Sequence, residues 1–301
     1  MSSVERLKNF LSETNCEFIC DEPMSRHTTF KIGGSADIFV VPKDENEVSK
    51  AIKFCKEENI KYYLVGNGSN LLVGDNGLRG TVISFGKKFG EITLNGDIIT
   101  AKAGALLSNV CRFACDNSLE GMEFAFGIPG SVGGAVFMNA GAYGGEMKDI
   151  VVSVRALFPN GEIRDITADE AGFGYRSSAF QKNGAVILSA DFKLCRGDRT
   201  EIETKMNDIL QRRRDKQPLE WPSAGSAFKR PQNGYAAELI DRCGLKGFTV
   251  GGAQVSEKHA GFVINRGEAT CDDVLSLLDQ VRDIVFEKTG IMLEAEIKRL
   301  G

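Results

Sequence analysis

Residues 65–73 read VGNGSNLLV and place glycine, asparagine and serine between two apolar runs. Glycine has no Cβ atom, so a loop of this composition can bring backbone N–H groups close to a phosphate. The preceding run KYYLV (61–65) and the following LLV (71–73) are both typical of strands. We therefore predict a strand, a loop that can cradle a diphosphate, and a second strand.

Two common nucleotide motifs do not match this loop. The dinucleotide fingerprint GxGxxG needs a third glycine and a following helix, but Leu71 stands at the third position and begins a strand. The P-loop pattern GxxxxGK[ST] fails too, because its nearest candidate, residues 80–88, has the wrong spacing and ends in lysine. The ligand therefore has to be identified from other features.

A second glycine-rich segment reads FGIPGSVGGAVFMNAGAYGG and spans residues 126–145. Tight turns between strands would explain one such segment. Two segments, both with serine and asparagine between the glycines, favour a diphosphate that is held by loops rather than by the end of a helix. The pattern does not by itself name the ligand.

The rest of the chain alternates helical and strand patterns. Asn-Gly pairs at 95–96 and 160–161 stand between alternating apolar residues and predict two β-hairpins. Helices are expected at 4–11, 44–59, 105–117, 200–218, 235–243 and 270–290, and further strands at 35–42, 80–85, 184–194, 248–255, 260–265 and 291–300. The predicted class is α+β, with a larger N-terminal portion and a smaller portion after about residue 197.

The composition is that of an ordinary globular protein, with 301 residues, 42% of them hydrophobic, and a net charge of −4. Because the net charge is negative, the protein has no overall positive electrostatic field that would attract nucleic acid, and no nucleic-acid partner is expected. Residues 1–22 lack the apolar core of a signal peptide, and no stretch reaches the length of a membrane span. We therefore expect a cytoplasmic protein without a membrane partner.

Cysteine and histidine usage narrows the possible chemistry. The eight cysteines include no CxxC pair, and we interpret them as reduced and structural. The only histidines are His27 and His259, and HExxH is absent, so neither a metal site nor a Ser-His-Asp triad is expected. Lysine, arginine, carboxylate, serine or a cofactor are the expected carriers of any reaction.

Six motifs together resemble a known enzyme family. They are HTTFKIGGSADIFVVP (27–42), VGNGSNLLV (65–73), GIPGSVGGAVFMNAGAYG (127–144), YRSSAF (175–180), AGSAFKRP (224–231) and LEAEIKRL (293–300). The first three resemble the FAD-binding domain of vanillyl-alcohol-oxidase-type flavoproteins. All six, in this order, resemble the UDP-N-acetylenolpyruvoylglucosamine reductase family over nearly the whole chain.

The resemblance implies non-covalent FAD and a specific set of residues around it. The implied fold is a two-lobed FAD-binding domain at 1–197, with lobes at about 1–85 and 86–197, and a substrate-binding domain at 198–290. A terminal strand at 291–301 would return to the FAD site. The implied cofactor-binding residues are Gly66, Asn67, Gly68, Ser69, Asn70, Leu71, Pro129, Gly130, Ser131, Gly133, Gly134 and Asn139.

The family reaction moves a hydride from NADPH by way of FAD to C3 of an enolpyruvyl ether, and C2 is then protonated. The resemblance implies that Arg176 binds the substrate carboxylate, where negative charge develops, and that Ser226 gives the proton to C2. Glu296 would lie near the same oxygens, so we expect it to be protonated in the active complex. Taken alone, these residues would more often be a surface arginine, a turn serine and a solvated glutamate.

Other basic residues are candidates for the UDP-sugar substrate. Lys229 and Arg230 closely follow Ser226, and we expect them to bind substrate. The run 212–216 has two interpretations, a substrate contact or a solvated cationic helix end. His259 receives no role. The YRSSAF motif is followed directly by a predicted strand. The chain therefore has no space for the additional tyrosine-bearing loop that some family members carry. It resembles the shorter subclass of the family.

The implied function belongs to bacterial peptidoglycan precursor synthesis, and with it to cell-wall biogenesis, cell shape and cell division. A monomer is expected. Two other functions stay open at this point: an oxidase of the same flavin fold that acts on an alcohol or amine, and a nucleotide-binding module without catalysis. The oxidase would lack the carboxylate-binding Arg/Glu pair, and the module would show no redox turnover.

Overall fold

The structure is a computed structural model that describes residues 2–301. Its helices are α1 (Ser3–Glu13), α2 (Glu45–Glu57), α3 (Leu107–Asp116), α4 (Val132–Phe137), α5 (Phe180–Asn183), α6 (Arg199–Lys216), α7 (Ala236–Arg242) and α8 (Cys271–Thr289). The strands of the first two thirds are β1 (Glu17–Pro23), β2 (Ser35–Val41), β3 (Tyr62–Val65), β4 (Leu71–Val73), β5 (Leu78–Ser84), β6 (Ile92–Asn95), β7 (Ile98–Lys102), β8 (Leu119–Glu120), β9 (Gly141–Ala142), β10 (Gly145–Glu146), β11 (Val151–Leu157), β12 (Ile163–Thr167), β13 (Val186–Lys193) and β14 (Cys195–Arg196). The last strands are β15 (Ser223–Ser226), β16 (Thr249–Val250), β17 (Ala253–Val255), β18 (Phe262–Asn265) and β19 (Lys298–Leu300). This mixture confirms the predicted α+β class.

Local sequence signals explain where several helices begin and end. The Asp44 carboxylate accepts a hydrogen bond from the Glu47 N–H (2.8 Å), which caps the start of α2. Thr270 and Asp273 form a reciprocal capping box at the start of α8. Gly290 ends this helix at φ +73°, a left-handed conformation that glycine adopts without strain.

Contacts divide the chain into two compact units. The first unit comprises the chain up to Ile19, Ile38–Asn67 and Gly80–Arg212. The second unit comprises Cys20–Asp37, Gly68–Arg79 and Arg213–Gly301. Each unit has its own cluster of buried apolar side chains.

The first unit is built around a five-stranded antiparallel sheet in the order β12-β11-β13-β7-β6. Both predicted Asn-Gly hairpins belong to this sheet. Gly96 (φ +63°) lies between the paired residues Asn95 and Ile98, and the second turn closes through a hydrogen bond from the Phe158 N–H to the Glu162 carbonyl (2.8 Å). A second sheet of the chain has the order β1-β2-β5-β3, with β3 and β5 parallel.

The second unit contains an antiparallel sheet in the order β15-β18-β17-β16 together with helices α7 and α8. A separate parallel pair joins β19 to β4, with Lys298 opposite Leu71. The predicted strand at 248–255 is wrong as a single strand. Gly251 (φ +53°) and Gly252 turn the chain there, and β16 and β17 pair across the turn. Apolar residues on both sides of the two glycines produced the continuous strand pattern.

Candidate functional site

In the first unit, the start of the opening loop touches the second glycine-rich segment. The Asn67 side-chain amide donates a hydrogen bond to the Pro129 carbonyl (2.7 Å). A Cβ atom at Gly66 would lie 2.2 Å from Ser131 Oγ, far inside van der Waals contact. Glycine at position 66 is therefore required by the close approach of Ser131.

Main-chain hydrogen bonds fix the backbone on both sides of Ser131, but the Ser131 hydroxyl has no hydrogen-bond partner among residues 2–301. The segment is fixed by main-chain hydrogen bonds from Leu107 N–H to the Gly130 carbonyl (3.0 Å) and from Val132 N–H to the Ala105 carbonyl (2.8 Å). Ser131 is only 2% exposed, and within residues 2–301 its Oγ has no hydrogen-bond partner. Since a buried unpaired hydroxyl costs free energy, this atom is expected to bond to a ligand.

The second glycine-rich segment differs from the predicted set of loops, because residues 132–137 form the short helix α4 directly after Ser131. Two glycines within α4 reduced the helical signal in the sequence. Gly133 permits close packing at this point, since a Cβ atom there would lie 2.9 Å from the Ala103 Cβ.

A cavity of about 440 Å³ opens beside Gly66 and Ser131 in the first unit. This volume lies in the range of about 300–1,000 Å³ that is typical of small-molecule sites. Its walls are mainly apolar and aromatic and include Tyr62, Leu64, Phe137, Phe180 and Ile187. Sequence reasoning missed these residues, because their patterns indicate only strand or core and the cavity arises from tertiary packing.

The first unit therefore fits a dinucleotide such as FAD on three observations. They are the absence of a side chain at Gly66, which admits Ser131, the buried Ser131 hydroxyl without a protein partner among residues 2–301, and an adjoining cavity with apolar and aromatic walls. Gly66, Asn67, Pro129, Gly130, Ser131, Gly133 and Gly134 are the predicted cofactor residues found in this region.

Asn139, also a predicted cofactor residue, is 1% exposed and fully engaged with protein groups. Its amide donates to Glu146 Oε2 (2.9 Å) and to the Gly174 carbonyl (3.0 Å), and its Oδ1 accepts from the Lys148 N–H (2.9 Å). The hydrogen bond of Lys148 Nζ, followed by that of Asn139, keeps the pKa of Glu146 below its usual range. A direct contact of the Asn139 side chain with a cofactor stays a prediction.

Asn139 also supports the segment that carries Arg176. Arg176 lies in the first unit in a tight turn, closed by hydrogen bonds between Gly174 and Ser177, and has a left-handed backbone (φ +52°). Such a conformation is uncommon for a residue with a side chain and is often found at functional sites. Gln181, which sequence reasoning did not select, donates to the Arg176 carbonyl (3.1 Å).

In the second unit, Gly68 to Leu71 continue the opening loop into β4. Gly68 has φ +62°, and a Cβ atom at this position would lie 2.0 Å from the His27 carbonyl oxygen. The Thr29 N–H donates to the Gly68 carbonyl (3.3 Å). The HTTF motif therefore packs on this part of the loop, and no larger residue fits at Gly68.

Ser226 and Glu296, seventy positions apart, lie on adjoining segments of the second unit. The Glu296 N–H donates to the carbonyl of Ala227 (2.8 Å), and Phe228 pairs with Ala295. The register of β15 shifts before Ser226, where Gly225 has φ +77°, so Ser226 is exposed although Ala224 and Ala227 on either side are buried. Glu296 is 9% exposed rather than solvated.

The predicted substrate residues lie next to this pair. Lys229 forms an ion pair with Glu294, and its N–H donates to the Glu294 carbonyl (2.8 Å). The Arg230 guanidinium lies over the ring of Tyr235, 4.3 Å from its centroid. Tyr235 is 57% exposed and was not singled out from the sequence.

The basic run at 212–216 is not uniformly solvated, because Arg213 is 8% exposed and donates to Gln217 Oε1 (3.4 Å). His259 accepts a hydrogen bond at Nδ1 from the Gly261 N–H (3.1 Å). Burial, followed by the positive charges of Lys246 and Lys216, lowers the pKa of His259 below its usual value. No helix among residues 2–301 is both long and apolar enough to cross a bilayer.

Comparison with known proteins finds a family match in each of two parts of the chain. Residues 36–167 match the family described as FAD binding domain. Residues 217–300 match the family described as UDP-N-acetylenolpyruvoylglucosamine reductase, C-terminal domain. The structure of Physcomitrella patens BBE-like 1 covers 63% of this chain and 44% of its own, with a TM-score of 0.50 and 14% identity, and shows a shared fold alone.

Three other proteins have a higher sequence identity to this chain, and all three are named as the same reductase. UDP-N-acetylenolpyruvoylglucosamine reductase from Clostridium perfringens strain SM101 is 50% identical over 281 residues, which are 93% of this chain and 92% of the relative. The Clostridioides difficile strain 630 enzyme is 48% identical and covers 98% of this chain and 96% of its own. The crystal structure of the Thermus caldophilus enzyme is 35% identical, covers 95% of this chain and 99% of its own, and has a TM-score of 0.81. The chain therefore belongs to the UDP-N-acetylenolpyruvoylglucosamine reductase family and is an FAD-containing oxidoreductase.

Proposed function

We propose that this chain catalyses the NADPH-dependent, FAD-mediated reduction of UDP-N-acetylglucosamine enolpyruvate to UDP-N-acetylmuramate. Since the chain belongs to this family, one structural observation supports the proposal most directly. The Glu296 N–H bonds to the carbonyl of Ala227, which places a buried carboxyl-bearing residue and the exposed Ser226 on adjoining segments. A hydroxyl-bearing and a carboxyl-bearing residue on adjoining segments suit a reaction that develops and then protonates a carbanion next to a carboxylate.

FAD, when bound, supplies a group that accepts a hydride from NADPH and gives it to C3 of the enolpyruvyl ether. The residues proposed to hold it in the first unit are Gly66, Asn67, Pro129, Gly130, Ser131, Gly133, Gly134 and Asn139. Those proposed in the second unit are Gly68, Ser69, Asn70 and Leu71. Among them, Ser131 Oγ is the buried donor best supported by its lack of a protein partner among the described residues.

The remaining steps belong to side chains of this chain. Arg176 binds the substrate carboxylate and, because guanidinium stays charged, stabilises negative charge that spreads from C2 into it. Glu296 in its protonated form stabilises the same charge. Ser226 delivers the proton to C2, and Lys229 and Arg230 bind the UDP-sugar. The substrate-binding role of 198–290 and the return of 291–301 to the FAD site belong to the same proposal.

The cellular setting is part of the proposal. A UDP-sugar substrate, a monomeric state and a cytoplasmic location fit peptidoglycan precursor synthesis, which contributes to cell shape and division. Support comes from the shared family and from the site residues at matching motif positions.

The first experiment is an anaerobic absorption spectrum of the purified protein. We expect flavin bands that bleach with NADPH and return when the enolpyruvyl substrate is added. Fast reoxidation by oxygen with no response to the substrate would favour an oxidase. A colourless protein that FAD cannot reconstitute would contradict the proposal.

A further inference from the structure

Glu296 is anchored through both of its main-chain polar groups. Its N–H donates to the carbonyl of Ala227 (2.8 Å), which follows Ser226. Its carbonyl accepts a hydrogen bond from the side-chain amide of Asn70 (3.2 Å). Asn70 belongs to the loop proposed to hold the FAD diphosphate, so a loop residue is bonded directly to the proposed catalytic glutamate.

The main chain of Asn70 strengthens this link. Its carbonyl accepts a hydrogen bond from the Lys298 N–H (2.9 Å), so Asn70 binds the chain on both sides of Ile297. The parallel pairing of β4 with β19 then continues from Leu71 opposite Lys298 to Val73 opposite Leu300. The end of the loop and residues 296–300 are therefore joined by a continuous set of hydrogen bonds.

Residue type matters at position 70. The carbonyl of Glu296 needs a donor, which an asparagine amide supplies and an aspartate carboxylate of the same shape does not. Because Asn70 Nδ2 donates to the Glu296 carbonyl, Asn70 contacts Glu296 in addition to belonging to the loop that is proposed to bind FAD. Asn67, in the same loop, donates instead to Pro129 in the first unit and supplies a matched comparison.

We propose that Asn70 is a positioning residue that couples binding of FAD at the loop to the placement of Glu296. Ordering of the loop by the cofactor fixes the Asn70 amide, and the amide in turn fixes the Glu296 backbone. The part of this inference that concerns the rate of enolpyruvyl reduction rests on the proposed function. The coupling itself rests only on the proposed binding of FAD at the loop.

Amide hydrogen exchange tests the coupling without turnover. In the parent protein, saturating FAD should slow exchange in a peptide that covers residues 294–300 by about tenfold or more, because exchange follows local opening. Asn70→Ala and the isosteric Asn70→Asp should lose most of this FAD-induced slowing. Asn67→Ala should weaken FAD binding yet keep the slowing once FAD is saturating. Equal slowing in the parent and both Asn70 variants would overturn the proposal.

Half-reaction kinetics test the consequence. With saturating FAD, Asn70→Ala and Asn70→Asp should lose much less of the parent rate in reduction by NADPH than in reoxidation. Reoxidation by the enolpyruvyl substrate should slow by about 10- to 100-fold, which is the usual result of a small misplacement of a catalytic group. Asn70→Gln, which keeps an amide donor, should recover part of the rate. Equal losses in both half-reactions would indicate a general cofactor defect and contradict the proposal.

The two proposals fail in different ways. If the parent protein binds FAD but does not reduce the enolpyruvyl substrate, the proposed function is wrong, and hydrogen exchange alone decides the role of Asn70. If the parent turns over and the Asn70→Asp variant matches it in both half-reactions, the proposed function stands and the positioning role is wrong.

Discussion

The backbone N–H of Glu296 donates a 2.8 Å hydrogen bond to the carbonyl of Ala227, the residue that follows Ser226. This bond joins two segments that are far apart in sequence and places the backbone of Glu296, the proposed charge-stabilising residue, beside that of Ala227, which follows the proposed proton donor. Substitutions at the two positions should therefore change the same step of the reaction.

Replacing Ser226 by alanine should separate the two half-reactions. Reduction of the flavin by NADPH should stay near the parent rate, whereas reduction of the enolpyruvyl group should slow by about 10²–10⁴-fold, the usual contribution of a positioned proton donor. Stopped-flow absorbance measures both steps. Ser223→Ala, at the start of the same strand, is the matched control and should behave like the parent. A Ser226→Ala variant with the parent rate would remove Ser226 from the mechanism.

Replacing Ser131 by alanine should weaken FAD binding by about 2- to 10-fold, the worth of one hydrogen bond. The apoprotein should be equally stable or more stable, because the buried Oγ has no partner within the described chain. Titration calorimetry and apoprotein melting measure these effects. Ser178 is buried as well, but its Oγ donates to the Phe137 carbonyl (2.7 Å), so Ser178→Ala should destabilise the apoprotein. Similar apoprotein losses in both variants would contradict this interpretation.

Replacing Gly66 by alanine should destabilise the first unit by about 1–3 kcal/mol, the usual cost of overpacking. The added Cβ atom would lie 2.2 Å from Ser131 Oγ but 3.4 Å from Ser131 Cβ. The double variant Gly66→Ala with Ser131→Ala should therefore recover most of the lost stability. Urea unfolding of the parent, single and double variants checks this, and strict additivity of the two single effects would show that the clash is not the cause.

Asp273 should make the stability of the second unit depend on pH. Hydrogen bonds from the Thr270 N–H and then from the Gly252 N–H keep the pKa of its carboxyl below the usual value. Because the folded pKa is the lower one, this contribution is complete above about pH 4 and is lost as the pH falls through the folded pKa.

Asp273→Asn should lower the free energy of unfolding by about 1 kcal/mol at pH 7 and by less below pH 4. Trp221, the single tryptophan, lies in the second unit, so its fluorescence follows the relevant transition. Asp272→Asn should change the stability less. A loss in Asp273→Asn that is the same at pH 7 and pH 3 would exclude the capping explanation.

The pKa of His259 should lie below its usual value of about 6.5, because the ring is partly buried and because Lys246 and Lys216 lie near it. The depressed pKa means that its contribution to stability is complete above about pH 6.5 and is lost as the pH falls further. With only two histidines in the chain, proton NMR resolves both titrations, and His27→Gln assigns them. Lys246→Gln should raise the His259 pKa. No movement in that variant would exclude the lysine contribution.

Local features of the fold could be predicted from the sequence because their signals are local. The Asn-Gly hairpins, the Asp44 and Thr270 caps and the left-handed Gly290 each depend on a few neighbouring residues. The strand–loop–strand element at residues 62–73 follows from the same kind of signal. Such features keep their structure in many tertiary contexts.

The site could be predicted only in part. The glycines of the two loops and the Ser226 and Glu296 positions followed from motif resemblance, but the link between Asn70 and Glu296 joins residues without any periodic relationship. The unused Ser131 hydroxyl and the cavity walls depend on packing between strands and helices that are distant in sequence. The two units are themselves discontinuous in sequence.

The pairing of β19 with β4 sets an order of events during synthesis. Residues 71–73 leave the ribosome early, whereas their partner strand at 298–300 is made more than two hundred residues later. During elongation, strand β4 therefore has an unpaired edge, and the long chain between the partners must close before the pair forms. Pairing of β4 with β19 therefore waits until residues 298–300 have been made, and the edge of β4 is open to other contacts until then.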